Sequence, residues 1–188
     1  MVKKKSVLNS AAERKAVNSS GSFEGEKARP LWAPWRIEYI VSPKNGECFL
    51  CGMKKNANSG AGLVVHRGKE VFVMLNMFPY NSGHLMIAPF GHIGDFTKLT
   101  KPQRHEMADI AAVSEDVLRR IMKPEGFNIG FNIGKAAGAG VEEHVHLHVV
   151  PRWTGDTNFM PVLGDARVVP QSLAETAELI RKNWNCKY

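Results

Sequence analysis

Short apolar runs separated by turn residues fill the middle of the chain. They occupy residues 63–66, 70–77, 83–89, 127–133 and 144–150. Most are rich in Val, Ile, Leu and Phe, which favour extended strands. Residues 79–83, between the second and third runs, have the composition of a tight turn. The pattern therefore predicts an antiparallel sheet of about five strands.

Two helices are predicted from capping residues and apolar spacing. Thr100 and Gln103 form a capping box with Pro102 in the first turn, and residues 123–126 end this helix. Ser172 and Glu175 cap a second helix near the C-terminus. The apolar faces are Met107, Ile110, Ala111, Val117, Leu118 and Ile121 in the first helix, and Leu173, Ala177, Ile180 and Trp184 in the second. Segregated strands and helices indicate an α+β domain with two main helices.

The first 30 residues differ from the rest of the chain. They contain seven Lys or Arg, three Glu and hardly any bulky apolar side chains. Such a segment buries too little surface to offset the entropy of ordering. We expect a flexible basic tail over residues 1–30 and a domain over residues 31–188, beginning near Trp32 and Trp35. A helical targeting sequence is the alternative, and the three Glu argue against it.

Composition narrows the class of protein. The 188 residues are 44% hydrophobic and 23% charged, as is ordinary for soluble globular proteins. No apolar run approaches the roughly 20 residues of a membrane span, and no secretory h-region is visible. We therefore expect a cytoplasmic protein without a membrane partner. The formal charge of +7 owes much to the tail, and no stripe of basic and aromatic residues indicates nucleic-acid binding.

The last predicted strand carries three histidines at alternate positions, His144, His146 and His148. Side chains of a strand alternate between its faces, so the three imidazoles share one face while the intervening apolar residues face the core. Imidazole can act as nucleophile, proton carrier, metal ligand or phosphate donor near neutral pH. A solvated strand face without a role and a site that only binds metal are the alternatives.

A small-residue loop and a cysteine pair add further chemistry. Gly138 and Gly140 precede the histidines, where glycine lets backbone amides approach an anion, although a plain hairpin loop has the same composition. Cys48 and Cys51 have the spacing of zinc ligands, and two histidines would complete a tetrahedral site. The spacing leaves those histidines undetermined, and ordinary buried thiols are the alternative. Three cysteines make a poor disulfide framework, which favours a reducing compartment.

These segments together resemble the histidine-triad superfamily. The resemblance rests on residues 132–134, the glycine-bearing loop and the run His-Val-His-Leu-His-Val-Val-Pro-Arg at 144–152. It extends back through residues 75–89 and the cysteine pair, covering about residues 31–165. The segments at 31–36 and 151–160 are most similar to the diadenosine tetraphosphate (AP-4-A) phosphorylase branch. His148 disfavours the hexose-1-phosphate uridylyltransferase branch, which carries Gln at this position.

The resemblance implies an activity and site roles. In the family the middle histidine attacks the α-phosphorus, so His146 would be the nucleophile and form a nucleotidyl-histidine that phosphate or water resolves. The substrate-binding residues would be Asn76 for the ribose and Asn132, Gly140, Val141 and His148 for the phosphate groups. Without the family pattern, the two asparagines could equally be turn or strand-end residues.

The loop departs from the family pattern at two positions. Many members have Gln four residues before the first histidine and Ser or Thr three before it, where this chain has Gly140 and Val141. We hypothesise that the open, backbone-lined loop admits inorganic phosphate as second nucleophile. Phosphorolysis of diadenosine tetraphosphate to ADP and ATP would then be favoured over hydrolysis. Hydrolysis of dinucleoside polyphosphates or nucleoside phosphoramidates is the alternative.

The resemblance also implies a structural zinc and a homodimer. The zinc ligands would be Cys48, Cys51, His92 and His144. We expect no organic cofactor. The dimer would continue the sheet or pack helices across its two-fold axis. Candidates for burial there are Trp32, Trp35 and Trp184.

Two functions of other classes stay open. One is a hydrolase that uses all three histidines as ligands of a catalytic metal. The other is a nucleotide-binding module without catalysis.

Overall fold

The computed structural model describes residues 48–55, 62–156 and 172–185. One antiparallel sheet contains β1 (Val64–Arg67), β2 (Val71–Leu75), β3 (Leu85–Pro89), β4 (Gly126–Phe131) and β5 (Leu147–Arg152). Its strand order is β1-β2-β3-β5-β4. The helices are α1 (Phe49–Lys55), α2 (Lys101–Met122) and α3 (Leu173–Asn183). The predicted α+β class, with five antiparallel strands and two main helices, is confirmed.

The centre of the sheet is fully buried. β2 and β3 pair in register from Val71 opposite Pro89 to Leu75 opposite Leu85, and every side chain in both strands is buried. Strands covered on both faces are expected to be continuously apolar, as these two are. Helix α2 packs against β2, β3 and β5, and α3 packs against β1 and β2.

Both predicted capping boxes are present. Thr100 accepts from the backbone N–H of Gln103, and the Gln103 side chain accepts from the Thr100 N–H. Helix α2 ends at Lys123, whose φ of 49° places it in the left-handed region. Ser172 and Glu175 make the same reciprocal pair at α3. Local signals of this kind satisfy backbone groups that a helix terminus leaves without partners.

The C-terminal helix is fixed to the edge strand β1. Ala177 and Ile180 are fully buried in the core. Arg181 donates to the carbonyl groups of Val64 and Gly62. Beyond the helix, Trp184 stacks on His66 with ring centroids 4.8 Å apart. Trp184, one of the candidates for burial in a dimer, therefore has a stacking partner within its own chain.

The strand predicted over residues 144–150 begins three residues later, at Leu147. If the register that pairs Ile87 with Leu147 continued, His146 would lie opposite Ala88 and Val145 opposite Pro89. Proline has no N–H to donate to the ladder, and the Val145 N–H instead donates to the Ile93 carbonyl at 2.7 Å. His144 and His146 thus precede β5, on a segment that is not paired with β3 as a strand.

Some predictions lie outside the described residues. These are the basic tail over residues 1–30, the start of the domain near residue 31, and both Trp32 and Trp35. Among the residues that are described, none of the helices combines the length and apolar character that a bilayer crossing requires.

Candidate active site

A cavity opens where α1, the end of β2 and the loop before β5 meet. One part of its wall consists of residues singled out in the sequence, namely Asn76, Gly140, Val141, His146 and His148. The other part was not predicted and is mostly apolar, consisting of Phe49, Leu50, Phe78, Tyr80 and Met86. The sequence analysis thus identified the polar part of the wall and assigned no role to the five apolar residues, although Phe49 and Leu50 lie between the two cysteines and the other three lie within residues 75–89.

His146 is buried in the cavity wall, and its Nδ1 lies 2.8 Å from the backbone carbonyl oxygen of His144. A carbonyl oxygen only accepts hydrogen bonds, so the neutral imidazole carries its proton on Nδ1 and its lone pair on Nε2. This is the tautomer that a nitrogen nucleophile requires. The backbone two residues earlier therefore orients the ring.

A chain of hydrogen bonds defines the tautomer of His148. The backbone N–H of Tyr80 donates to Nδ1 of His84 at 3.0 Å, so the proton of neutral His84 lies on Nε2. That nitrogen is 2.9 Å from Nδ1 of His148, which must accept. The remaining proton of neutral His148 then lies on its Nε2, as a phosphate donor requires.

His84 is a residue that the sequence reasoning did not assign. It is fully buried and lies 64 positions from His148 in the chain. Its only sequence signal is its place in the stretch 75–89 that resembles the family. The relation to His148 comes from the pairing of β3 with β5, which a single sequence does not display.

Asn132 reaches the cavity through a neighbour. Its Nδ2 donates to the Tyr80 hydroxyl at 3.3 Å. The Tyr80 ring in turn lies 4.6 Å from the ring of His84 and 5.7 Å from that of His148, between centroids. Asn132 thus contacts Tyr80 of the cavity wall, and its role toward the substrate phosphate stays a prediction.

Asn76 forms the turn that follows β2. Its Oδ1 accepts from the Phe78 N–H at 2.9 Å, and its Nδ2 lies 3.3 Å from Nδ1 of His84. The first contact is an Asx turn, one of the local roles that the sequence left open. Asn76 also lines the cavity, so the turn role and a ligand-facing position coexist.

The glycine-bearing loop has the geometry of a backbone anion site. Gly134 and Gly138 have φ values of 78° and 81°, which residues other than glycine rarely adopt. They bracket a short 3₁₀ turn over Lys135–Ala137. The backbone N–H groups of Gly140 and Val141 make no hydrogen bond to any other described residue, and both residues line the cavity. Such amides can bind an anion.

Cys48, Cys51, His92 and His144 form a second cluster beside the cavity. One ligand atom from each lies within 4.8 Å of every other. The Sγ of Cys51 is 3.4 Å from Nδ1 of His92 and 3.6 Å from Nδ1 of His144. Sulfur and nitrogen ligands of one tetrahedral zinc ion would be about 3.6 Å apart, given Zn–S and Zn–N bonds of about 2.3 and 2.0 to 2.1 Å. The four predicted residues therefore fit a tetrahedral metal ion.

His144 has the ring orientation of a metal ligand. Its Nε2 donates to the Pro89 carbonyl oxygen at 2.8 Å, so the lone pair of the neutral ring lies on Nδ1, toward the two sulfur atoms. Burial raises the pKa of the Cys48 thiol, although hydrogen bonds from the backbone of Cys51 and Leu50 oppose this. A bound cation would favour the thiolate instead.

The three histidines do not converge on one point. A catalytic metal ion of the kind considered from the sequence would need all three as ligands. However, His144 faces the cysteines. Nδ1 of His146 bonds to a carbonyl oxygen, and Nδ1 of His148 bonds to His84. Within residues 48–55, 62–156 and 172–185, the only cluster suited to a metal is the one with the two cysteines. The geometry therefore argues against a three-histidine metal hydrolase.

Comparison with known proteins gives one consistent family. The HIT domain family matches residues 60–155. An AP-4-A phosphorylase of Mycobacterium tuberculosis is 34% identical over 190 residues, spanning 93% of each chain. The crystal structure of a Zn-bound histidine triad family protein from Mycobacterium smegmatis has a TM-score of 0.60 and 27% identity, covering 73% of this chain and 93% of that one.

A more distant structure shows the same fold. A hypothetical histidine triad nucleotide-binding protein from Sulfolobus tokodaii has a TM-score of 0.60 at 22% identity, covering 72% of this chain and 91% of that one. The family match, the full-length similarity to the mycobacterial protein and the histidine-lined cavity lead to one conclusion. The chain belongs to the HIT family and is an enzyme of the nucleotidyltransferase or nucleotide hydrolase type.

Proposed function

We propose that the protein cleaves diadenosine tetraphosphate with inorganic phosphate, giving ADP and ATP through an adenylyl intermediate on His146. The observation that carries this proposal is the hydrogen bond from Nδ1 of His146 to the His144 carbonyl, which leaves the lone pair on Nε2 at the cavity wall. The similarity to an AP-4-A phosphorylase supports the choice of substrate.

In the first step, Nε2 of His146 attacks the α-phosphorus next to one adenosine. A P–N bond forms and the bond from that phosphorus to the bridging oxygen breaks, so ATP leaves and the adenylyl group remains on the histidine. His148 donates from Nε2 to a phosphate oxygen. The amides of Gly140 and Val141 bind the α-phosphate, where negative charge is redistributed in the transition state.

In the second step, an oxygen of inorganic phosphate attacks the same phosphorus. The P–N bond breaks, ADP leaves and His146 returns to its starting tautomer. Water attacking instead would give AMP. Gly140 and Val141 support the choice of phosphate, because they leave room that a larger polar side chain at either position would occupy.

The apolar wall would receive the adenosine. Phe49 on α1 and Phe78 in the turn after β2 offer aromatic surfaces, and Leu50 on α1 adds an aliphatic surface. Stacking and burial against such a wall are favourable for a purine base. Asn76, at the junction of the polar and apolar walls, would contact the ribose hydroxyls.

We also propose a zinc ion held by Cys48, Cys51, His92 and His144. The mixed sulfur and nitrogen donor set and the spacing of its atoms support zinc, as does the zinc-bound relative. Four protein ligands complete a tetrahedral shell, so the ion would act as a structural clip. No reaction step depends on it.

The active form is proposed to be a cytoplasmic homodimer. β4 is an edge strand of the sheet. Ile129 in this strand is 45% exposed, and Ile133, which follows it, is 50% exposed. An exposed apolar edge is a template for strand pairing, and a second copy would cover it by continuing the sheet across a two-fold axis. Free Cys48 and Cys51 suit the reducing cytoplasm.

The test is to incubate the protein with diadenosine tetraphosphate, with and without phosphate, and to identify the released nucleotides. We expect ADP and ATP in equal amounts when phosphate is present, with isotopically labelled phosphate entering ADP. Release of AMP and ATP at all phosphate concentrations would replace phosphorolysis with hydrolysis. No cleavage, with adenosine phosphoramidate also intact, would overturn the proposed function.

A further inference from the structure

The metal cluster and the cavity share a short piece of chain. Phe49 and Leu50 lie between Cys48 and Cys51, and both line the cavity. Helix α1, which carries them, has only seven residues. An isolated helix of that length is not stable in water, so its position depends on the contacts at its side chains and on whatever its cysteines bind.

A second connection runs through His144. Its ring faces Cys48 and Cys51 through Nδ1 and is fixed by the bond from Nε2 to the Pro89 carbonyl. The backbone carbonyl of His144 accepts a hydrogen bond from Nδ1 of His146. The residue that would bind the metal with its side chain therefore orients the nucleophile with its main chain.

We propose that metal occupancy and nucleotide binding are coupled in this protein, because the ligand residues hold both the Phe49–Leu50 wall and the carbonyl that orients His146. The inference rests on the proposed nucleotide site and deepens it. With metal bound, the two cysteines fix α1 against the cavity and His144 is held at both ring nitrogens. Without metal, α1 is held only by its core contacts at Leu50 and Met53, and the wall is less well preorganised for the base.

Coupling of this kind is reciprocal. If the metal strengthens nucleotide binding by a given factor, the nucleotide strengthens metal binding by the same factor. Typical coupling free energies correspond to factors of about 5 to 150. The metal would thus act on the substrate site through this chain's own residues, without touching the substrate.

The first measurement is AMP affinity by calorimetry on the full-length protein, once loaded with zinc and once stripped by a chelator. We expect the stripped protein to bind AMP about tenfold more weakly or worse. The second is the zinc affinity of the loaded protein against a competing chelator, with and without saturating AMP, and it should change by the same factor. Because the chelator produces the stripped form in both measurements, its far-UV circular dichroism is recorded with and without AMP. If that form is unfolded, the rate at which the folded, loaded protein releases zinc to excess chelator is measured instead, and saturating AMP should slow it.

Two substitutions on α1 distinguish a residue of the cavity wall from a residue that only packs in the core. Leu50→Ala removes part of the wall, so it should weaken AMP binding and abolish most of the effect of AMP on zinc affinity. Met53→Ala is the matched control, because Met53 is also buried and apolar but is not part of the cavity wall. It should retain the coupling.

The outcomes are distinct. Equal AMP affinity with and without zinc, or zinc affinity unchanged by AMP, would overturn the coupling while leaving the nucleotide site intact. A protein that binds no zinc would overturn it as well. Failure of the zinc-loaded protein to bind AMP at all would instead contradict the proposed function.

Discussion

Nε2 of His84 donates to Nδ1 of His148 across 2.9 Å, inside the protein. The direction of this bond follows from the Tyr80 N–H, which occupies the other nitrogen of His84. A buried imidazole thereby sets which nitrogen of its neighbour carries a proton. At His146, by contrast, the tautomer follows from the hydrogen bond of Nδ1 to the backbone carbonyl of His144.

Replacing His84 should lower turnover without removing the nucleophile. His84→Leu deprives His148 of its donor and lets its proton move to Nδ1, so we expect kcat to fall about 10- to 100-fold, as for other residues that orient a functional histidine. His84→Gln keeps an N–H donor and should recover part of the loss. The surface variant His105→Ala is the control. Equal kcat for the leucine and glutamine variants, with both folded, would contradict the positioning role.

The loop substitutions should change the second nucleophile. Restoring the family's polar side chains with Gly140→Gln and Val141→Ser narrows the space at the phosphate site, and Gly140 does not have a positive φ that would strain a side chain. We expect the ratio of ADP to AMP released at fixed phosphate to fall in the double variant. An unchanged ratio would mean that these positions do not select the nucleophile.

Local sequence signals predicted the helices well. The pairs Thr100 with Gln103 and Ser172 with Glu175 span three residues each, so their geometry follows from the helix itself. Helix α1 carries no such signal, since it is seven residues long and contains Gly52. Its position follows from contacts with distant parts of the chain, which a local pattern does not encode.

The candidate site was predicted by residue type and not by contact. His92 and His144 meet Cys48 and Cys51 as the family resemblance implied. The sequence predicted a strand from residue 144, whereas β5 begins at Leu147. This difference depends on Pro89, which lies in another strand, 55 positions before the His144 whose side chain bonds to it. The apolar wall was missed for a similar reason, because Leu50 and Met86 become neighbours only in the folded chain.

Asp156 should be worth more to stability than an exposed acidic residue. It accepts from Nε and Nη2 of Arg152 at 2.6 and 3.0 Å and from Asn81 Nδ2 at 2.7 Å, and its side chain is 9% exposed. Asp156→Asn should lower the free energy of unfolding by about 1 to 3 kcal/mol, because it replaces one of the two acceptor oxygens with an NH2 group that then faces a donor. Urea denaturation measures this.

Asp116→Asn is the matched control for that measurement. Asp116 pairs with Arg120 one turn away, but its side chain is 69% exposed. Exposed pairs of this kind contribute little, so the change should stay within about 0.5 kcal/mol. Equal effects of the two substitutions would contradict the importance given to Asp156.

The stack of His66 on Trp184 should make stability depend on pH. Burial lowers the pKa of His66 below its ordinary value of 6.5, although the charge of Glu106 opposes this. The unfolded chain therefore binds this proton more readily, so the stabilisation is present above pH 6.5 and is lost as the pH falls through the lower folded-state pKa. We expect the Tm of the wild type to drop between pH 7 and pH 5 more steeply than that of His66→Phe. Parallel Tm curves would contradict this assignment.

The most direct test of the proposed mechanism is to trap the adenylyl intermediate on His146. The protein is mixed with diadenosine tetraphosphate without phosphate, quenched within one turnover at alkaline pH, and mapped by peptide mass spectrometry. We predict one adenylyl group on the peptide that contains residues 144–148, located at His146, and none in His146→Asn with nucleotide binding retained. An adduct on another residue, or rapid cleavage by the His146→Asn variant, would contradict the proposed mechanism.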